Sequence, residues 1–219
     1  VPLDPETRDA LCRTLLRESA GARWVVLCGS LPPGVPDGWY ADLVEALRSL
    51  PCRIAVDTSG APLTALAARF PVAAPDLIKP NAEELAELVG LDGGSGLDAD
   101  ALEADLAHGG HQVVDACRLL VDRGVGAVLA TLGPAGAVLV SQDGAWLATP
   151  APVTAGSTVG AGDCTLAGYV LADLDALEPA ACLRRAVAYG SAAVALPGSA
   201  VPAPSDVDPD AVQVHDFGA

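Results

Sequence analysis

Residues 157–169 read STVGAGDCTLAGY: glycines at 160 and 162 around Ala161, then an acid, then an apolar run. A glycine turn entering a helix presents backbone N–H groups that the helix leaves without acceptors, and the helix dipole behind them favours a phosphate. Such loops normally recruit a lysine, whereas this one ends in Asp163. Two common phosphate loops are excluded by counting. A Walker loop requires G-x-x-x-x-G-K-[ST], but from Gly156 the second glycine position is Ala161 and no lysine follows. A Rossmann fingerprint requires a third glycine where Thr165 stands. What remains is an anion hole built from the backbone of Gly160, Ala161 and Gly162, with a carboxylate in the first helical turn. Asp163 then has two readings. It either complements the helix dipole, worth up to about 1 kcal/mol, or it accepts a proton from a hydroxyl while the neighbouring amides hold the phosphoryl group under attack. The second reading makes a phosphotransferase.

A second candidate constellation is KPNAEEL, residues 79–85. Lys79 is the only lysine among twelve basic residues, the others being arginine, so a compact ammonium is singled out at this position. Asn81 and Glu84, three residues apart, have the spacing of a helix capping box. The six cysteines are scattered singly without C-x-x-C or histidine partners at ligand spacing, which points to buried thiols rather than a metal centre.

The elements that must position these residues follow from periodicity. The pattern predicts helix 4–19, strand 24–29, helix 36–50, strand 53–58, helix 61–69, a short strand 76–79 and helix 82–89. GLDGGSGLDAD, residues 90–100, reads as a flexible surface excursion before a helix at 112–123. Residues 127–150 read as three short strands with turns at Gly133–Gly136 and Asp143–Gly144, so a hairpin interrupts the alternation. Helices 161–173 and 178–196 follow, and PGSAVPAPSDVDPD is expected to wrap the surface. This order predicts an α/β fold: a mainly parallel sheet with helices on both faces and a β-hairpin in the C-terminal half, spanning residues 1–219 as one unit. GSLPPG, DTSG and KPN end successive strands. In open α/β sheets the ligand lies outside those carboxyl ends, so the three loops should form the rim of the site.

Composition limits the partners. With 51% hydrophobic but 4% aromatic residues, the core must be built from Ala, Val and Leu. A formal net charge of −16 opposes binding to nucleic acid or to an anionic membrane surface, so an anionic ligand must be held by local geometry. No apolar run approaches the roughly 20 residues of a membrane span. No cleavable leader pattern opens the chain, and a cytoplasmic location is expected.

Taken in order, LCGSLPPGVP (27–36), AVDTSG (55–60), LIKPNAEEL (77–85), ATLGPAGAVLV (130–140) and STVGAGDCTLAG (157–168) resemble the ribokinase-like, PfkB-type carbohydrate kinases, most closely their 1-phosphofructokinase and tagatose-6-phosphate kinase branch. The resemblance implies ATP and Mg2+, with a monovalent cation as a further candidate, and a phosphorylated ketose as acceptor, fructose 1-phosphate first. It implies Asp163 as catalytic base and Gly160, Ala161 and Gly162 as the anion hole. Lys79, Asn81, Thr131, Leu132, Gly133, Pro134, Ala135, Gly136, Ser157, Thr158, Gly162, Asp163 and Ser191 would lie along the nucleotide, and Glu84 would organise Mg2+ through water. Ser191 has the alternative of packing two helices. A homodimer is implied for the full-length protein.

Family members carry an N-terminal segment with sugar-recognition residues and a small lid sheet, which this chain, opening at VPLDPETRDAL, is expected to lack. On that expectation it binds ATP·Mg2+ weakly and phosphorylates sugar poorly. The competing class is a nucleotide- or sugar-binding module without catalysis, against which Asp163 and Glu84 both speak. Cys164 stands where the family usually has Ser or Ala, a small change that should leave the chemistry intact.

Overall fold

The computed structural model describes residues 2–91 and 98–217. Seven strands form one sheet in sequence order: β1 (Trp24–Cys28), β2 (Arg53–Asp57), β3 (Leu77–Ile78), β4 (Ala127–Thr131), β5 (Ala137–Ser141), β6 (Gly144–Pro150) and β7 (Val212–Asp216). The first four pair in parallel, and β5, β6 and β7 are added antiparallel. Five strands therefore share one direction, and only β5 and β7 oppose it.

The central strands β2 to β5 are mostly apolar because both faces are covered. Ile54, Val56, Ile78, Val128 and Val140 point to one core, while Ala55, Leu77, Ala127, Leu129 and Leu139 point to the other. The first core is closed by α1 (Pro5–Ser19), α2 (Trp39–Leu47), α3 (Gly60–Ala67), α4 (Ala82–Gly90), α5 (Ala99–Leu106) and α6 (His111–Asp122). The second is closed by α7 (Ala161–Leu174) and α8 (Pro179–Ala195). Each fully buried leucine contributes roughly 1.5–3 kcal/mol. On the second face the small side chains let helix approach helix. A Cβ on Gly190 would overlap the Thr165 hydroxyl, and one on Gly168 would come within 2.9 Å of the Arg185 carbonyl.

Four departures from the sequence reading have local causes. Helix α2 begins at Trp39 rather than at 36, because Pro36 opens a turn whose carbonyl accepts the Trp39 N–H at 3.0 Å. Helix α5 lies just beyond the expected surface excursion, started by Asp98 accepting from the Ala101 N–H at 2.7 Å; residues 92–97 of that excursion are outside the described residues. After its proline-rich turns, the tail does not end as a wrap but adds β7 to the sheet edge. Leu132 is the fourth: it is fully buried in the first core, with its N–H bonded to the Gly136 carbonyl at 2.9 Å, so its side chain cannot line a nucleotide site.

Candidate active site

The carboxyl ends of the parallel strands set the floor of the site. Register places Cys28 opposite Asp57, the last residues of β1 and β2. Lys79 follows β3 directly and turns its ammonium to Asp57 Oδ2 at 3.1 Å, deep in the chain with only 6% of its side chain exposed. The loop after β1 is fixed from below. Tyr40 donates its hydroxyl to the Gly29 carbonyl at 2.8 Å and Thr58 does the same at 2.8 Å. The next strand end is tied in by the Thr131 N–H donating to the Pro80 carbonyl at 2.9 Å, with Asn81 and Thr131 bridged in parallel.

Above this floor stands the glycine turn. Gly160 caps α7 with φ 79°, the left-handed region in which glycine is favoured, and nothing lies within 4 Å of where its Cβ would be. Glycine is therefore needed there for backbone conformation, not for space. At Gly162 the reason is space, since a Cβ would sit 3.1 Å from Lys79 Nζ. The Ala161 N–H turns back to the Thr158 carbonyl at 3.3 Å, whereas the N–H groups of Gly160 and Gly162 have no protein acceptor among the described residues. Of the three amides assigned to the anion hole, two are thus open to a ligand and one is shared with its own turn.

Asp163 is exposed and has neither a hydrogen bond nor an ion pair among the described residues. It makes no capping bond to the N-terminal amides of α7, although its place in the first turn still suits the helix dipole. It converges with Asp57 and Cys28, their ligand-capable atoms lying within 4.8 Å of one another. Burial raises the Asp57 carboxyl above its ordinary range; Lys79 opposes that shift and Asp163 adds to it. The Cys28 thiol is pushed up to about 11 by desolvation and then by Asp57 and Asp163.

Asn81 and Glu84 do form a complete capping box: Asn81 Oδ1 accepts the Glu84 N–H and Glu84 Oε2 accepts the Asn81 N–H, both at 2.8 Å. The box uses one carboxylate oxygen, and Oε1 has no hydrogen bond among the described residues. Burial raises the Glu84 carboxyl, against the pull of the Asn81 N–H and Lys79. The capping role therefore occupies one of the two carboxylate oxygens of this side chain.

The remaining predicted residues lie around this centre. Gly133 and Pro134 are exposed and Ala135 half-buried in a 3-10 turn at the end of β4. Gly136 is buried with φ 126°, where a Cβ would overlap the Ala148 carbonyl. Ser157 and Thr158 lead into the cradle, the loop being pinned where Gly156 and Ser157 donate to the Val194 carbonyl at 2.8 and 3.2 Å. Ser191 lines a cavity of about 150 Å³ with Ala151, Val153, Asp206 and Asp208; the close helix contact falls to Gly190 beside it. No hydrogen bond or ion pair links Ser191 to the Lys79–Asp163 group among the described residues. Asp57 and Cys28 were not singled out from the sequence. An acid ending a strand, DTSG, one strand before the sole lysine was the signal for Asp57; Cys28 carried none, because its place depends on register.

Comparison with known proteins identifies the family. The pattern of the pfkB family carbohydrate kinases matches residues 9–206. Over 202 residues the chain is 39% identical to a 1-phosphofructokinase of Rhodobacter capsulatus, covering 91% of this chain and 58% of that protein. It is 40% identical over 166 residues to the 1-phosphofructokinase of Xanthomonas campestris, covering 75% of this chain and 48% of that one. Phosphofructokinase-2 of Escherichia coli in complex with potassium superposes with a TM-score of 0.79 at 30% identity, covering 94% of this chain and 61% of that chain. The chain spans about half the length of the curated relatives it matches.

Proposed function

The chain belongs to the pfkB family of carbohydrate kinases, and from that premise we propose that it phosphorylates a phosphorylated ketose with ATP, converting fructose 1-phosphate to fructose 1,6-bisphosphate. The observation that carries the reading is Asp163: among the described residues a carboxylate without hydrogen bond or ion pair, one residue beyond Gly162, whose amide like that of Gly160 has no acceptor there, at the rim of the parallel strands.

In the reaction Asp163 accepts the proton of the sugar hydroxyl as that oxygen bonds to the terminal phosphorus, and the bond from that phosphorus to the bridging oxygen of ADP breaks. The Gly160 and Gly162 amides donate to the phosphoryl oxygens as charge moves onto them. Lys79 holds Asp57 in its ionised form and contributes positive charge beneath the cradle. Donor chemistry fits a magnesium ion at Glu84, whose Oε1 is open while Oε2 is held by the cap. When bound, that ion neutralises the nucleotide phosphates. The Ser191 cavity suits one edge of the adenine. A monovalent cation is included on the strength of the potassium complex of the Escherichia coli neighbour. A dimer remains our assignment for the whole protein; the same neighbour has a tetrameric inhibited form.

The test is ADP release from ATP·Mg2+ across fructose 1-phosphate, fructose 6-phosphate, tagatose 1-phosphate and tagatose 6-phosphate, with calorimetry of ATP·Mg2+ alongside. Fructose 1-phosphate should give the highest kcat/KM. Nucleotide binding without turnover on any of the four in the whole protein would replace the kinase with a binding module.

A further inference from the structure

Cys28, Asp57 and Asp163 come from three separate elements, the ends of β1 and β2 and the first turn of α7, and their donor atoms lie within 4.8 Å of one another. Cys28 is exposed, the only one of the six thiols that is. Asp57 uses Oδ2 on Lys79, which leaves Oδ1 as a donor, and among the described residues neither oxygen of Asp163 has a partner. The acids facing this point are Asp57, Asp163 and, behind Lys79, Glu84; the only cation among them is Lys79. A second positive charge is therefore attracted, and it already has a precedent in the ammonium that the acids hold.

We propose that these three side chains form a site for a thiophilic divalent cation of the zinc class, whose binding shuts the kinase by holding Asp163. Donor type gives the selectivity. A thiolate with two carboxylates suits Zn2+, Cd2+ or Co2+, whereas Mg2+ prefers an all-oxygen octahedron and is not drawn to sulfur. The geometry is within reach, because ligands around tetrahedral zinc are separated by roughly 3.3–3.8 Å. Cys28 and Asp163 are exposed, whereas Asp57 is half-buried and held by Lys79, so closing that gap falls to rotation of the first two. Binding expels the thiol proton to solvent and leaves a fourth position for water. Binding does not depend on Asp163 being the base. Only its inhibitory consequence rests on that reading.

The test is a Co2+ titration of the chain, followed by displacement with Zn2+. One equivalent of Co2+ should produce thiolate-to-metal charge-transfer absorption that Zn2+ abolishes and excess Mg2+ leaves in place. Cys28→Ser should remove the absorption, and Asp57→Asn should weaken affinity by about tenfold to a hundredfold. Cys164→Ala, altering the buried thiol next to Asp163, should change nothing. In the whole protein Zn2+ should inhibit turnover in the wild type and far less in Cys28→Ser. Should Cys28→Ser misfold, the wild type still decides: Zn2+ should slow alkylation of Cys28, read on its peptide by mass spectrometry, without slowing Cys12. Absence of the charge-transfer band, its survival in a folded Cys28→Ser, or unaltered alkylation overturns the site. Metal binding as described without inhibition would overturn only the regulatory half; the assignment of Asp163 as base is decided separately by the turnover of Asp163→Asn.

Discussion

Helix α7 carries an acid near each end, and the two have opposite surroundings. Asp173, in the last turn, accepts from Trp24 Nε1 at 2.7 Å and from Arg53, whose guanidinium lies 4.3 Å above the Trp24 ring. Among the described residues Asp163, in the first turn, accepts from nothing and stands before two amides that donate to nothing. The first acid joins α7 to β1 and β2 across the sheet. The second has every hydrogen-bonding position left for something outside the chain. Equal chemistry on one helix thus separates into structure and function by whether its partners are supplied internally. A matching contrast holds for the cations: Arg53 is half in solvent, and Lys79 is buried in the cleft.

Breaking the Lys79–Asp57 pair should have the largest effect on stability. Lys79→Met leaves a buried carboxylate uncompensated and should cost about 3 kcal/mol or more, measured by urea unfolding. Lys79→Met with Asp57→Asn should recover much of that loss. Asp173→Asn should cost about 1–2 kcal/mol because its pair is partly solvated, and it should leave calorimetric ATP·Mg2+ affinity unchanged. A drop in nucleotide affinity with Asp173→Asn would erase the distinction between the two ends. Gly160→Ala should cost about 1–2 kcal/mol through the left-handed backbone alone, and it should weaken nucleotide binding because the turn can relax only by moving its amides.

The smallest expected stability effect is that of Glu84→Gln. Glutamine can still close the capping box, so stability at neutral pH should change little while the Mg2+ requirement rises. Its pH dependence has a definite sign. Burial raises the Glu84 carboxyl in the folded chain, so the folded state holds this proton more tightly. The contribution favours folding below the ordinary value of 4.5 and is lost as pH rises through the folded pKa. Urea unfolding across that window should show a shallower fall for Glu84→Gln than for the wild type.

Much of this contrast was legible in the residues. The apolar runs of β2, β4 and β5 declared themselves because each is buried on both faces, and β1 and β6 by their apolar composition. The GAGD turn declared itself because the left-handed capping position and the close approach of Lys79 both demand glycine. β7 was hidden because VQVHD is short and polar, an edge strand that only its partner defines. α5 was hidden behind a glycine-rich run and depends on its Asp98 cap. Leu132 was swept into the nucleotide turn by adjacency, although one residue of rotation sends its side chain to the core. The meeting of Cys28, Asp57 and Asp163 depends on strand register and on where α7 lands, neither of which a single chain of letters carries.

The central claim is that Asp163 is the proton acceptor at this cradle and not a helix cap. It is tested most directly by single-turnover phosphoryl transfer from ATP·Mg2+ to fructose 1-phosphate in the whole protein, comparing wild type, Asp163→Asn and Asp173→Asn. The account predicts a fall of roughly a thousandfold or more for Asp163→Asn, with ATP·Mg2+ affinity and unfolding midpoint preserved, and no comparable fall for Asp173→Asn. A loss of less than about tenfold for Asp163→Asn, or equal losses at the two ends of α7, would contradict it.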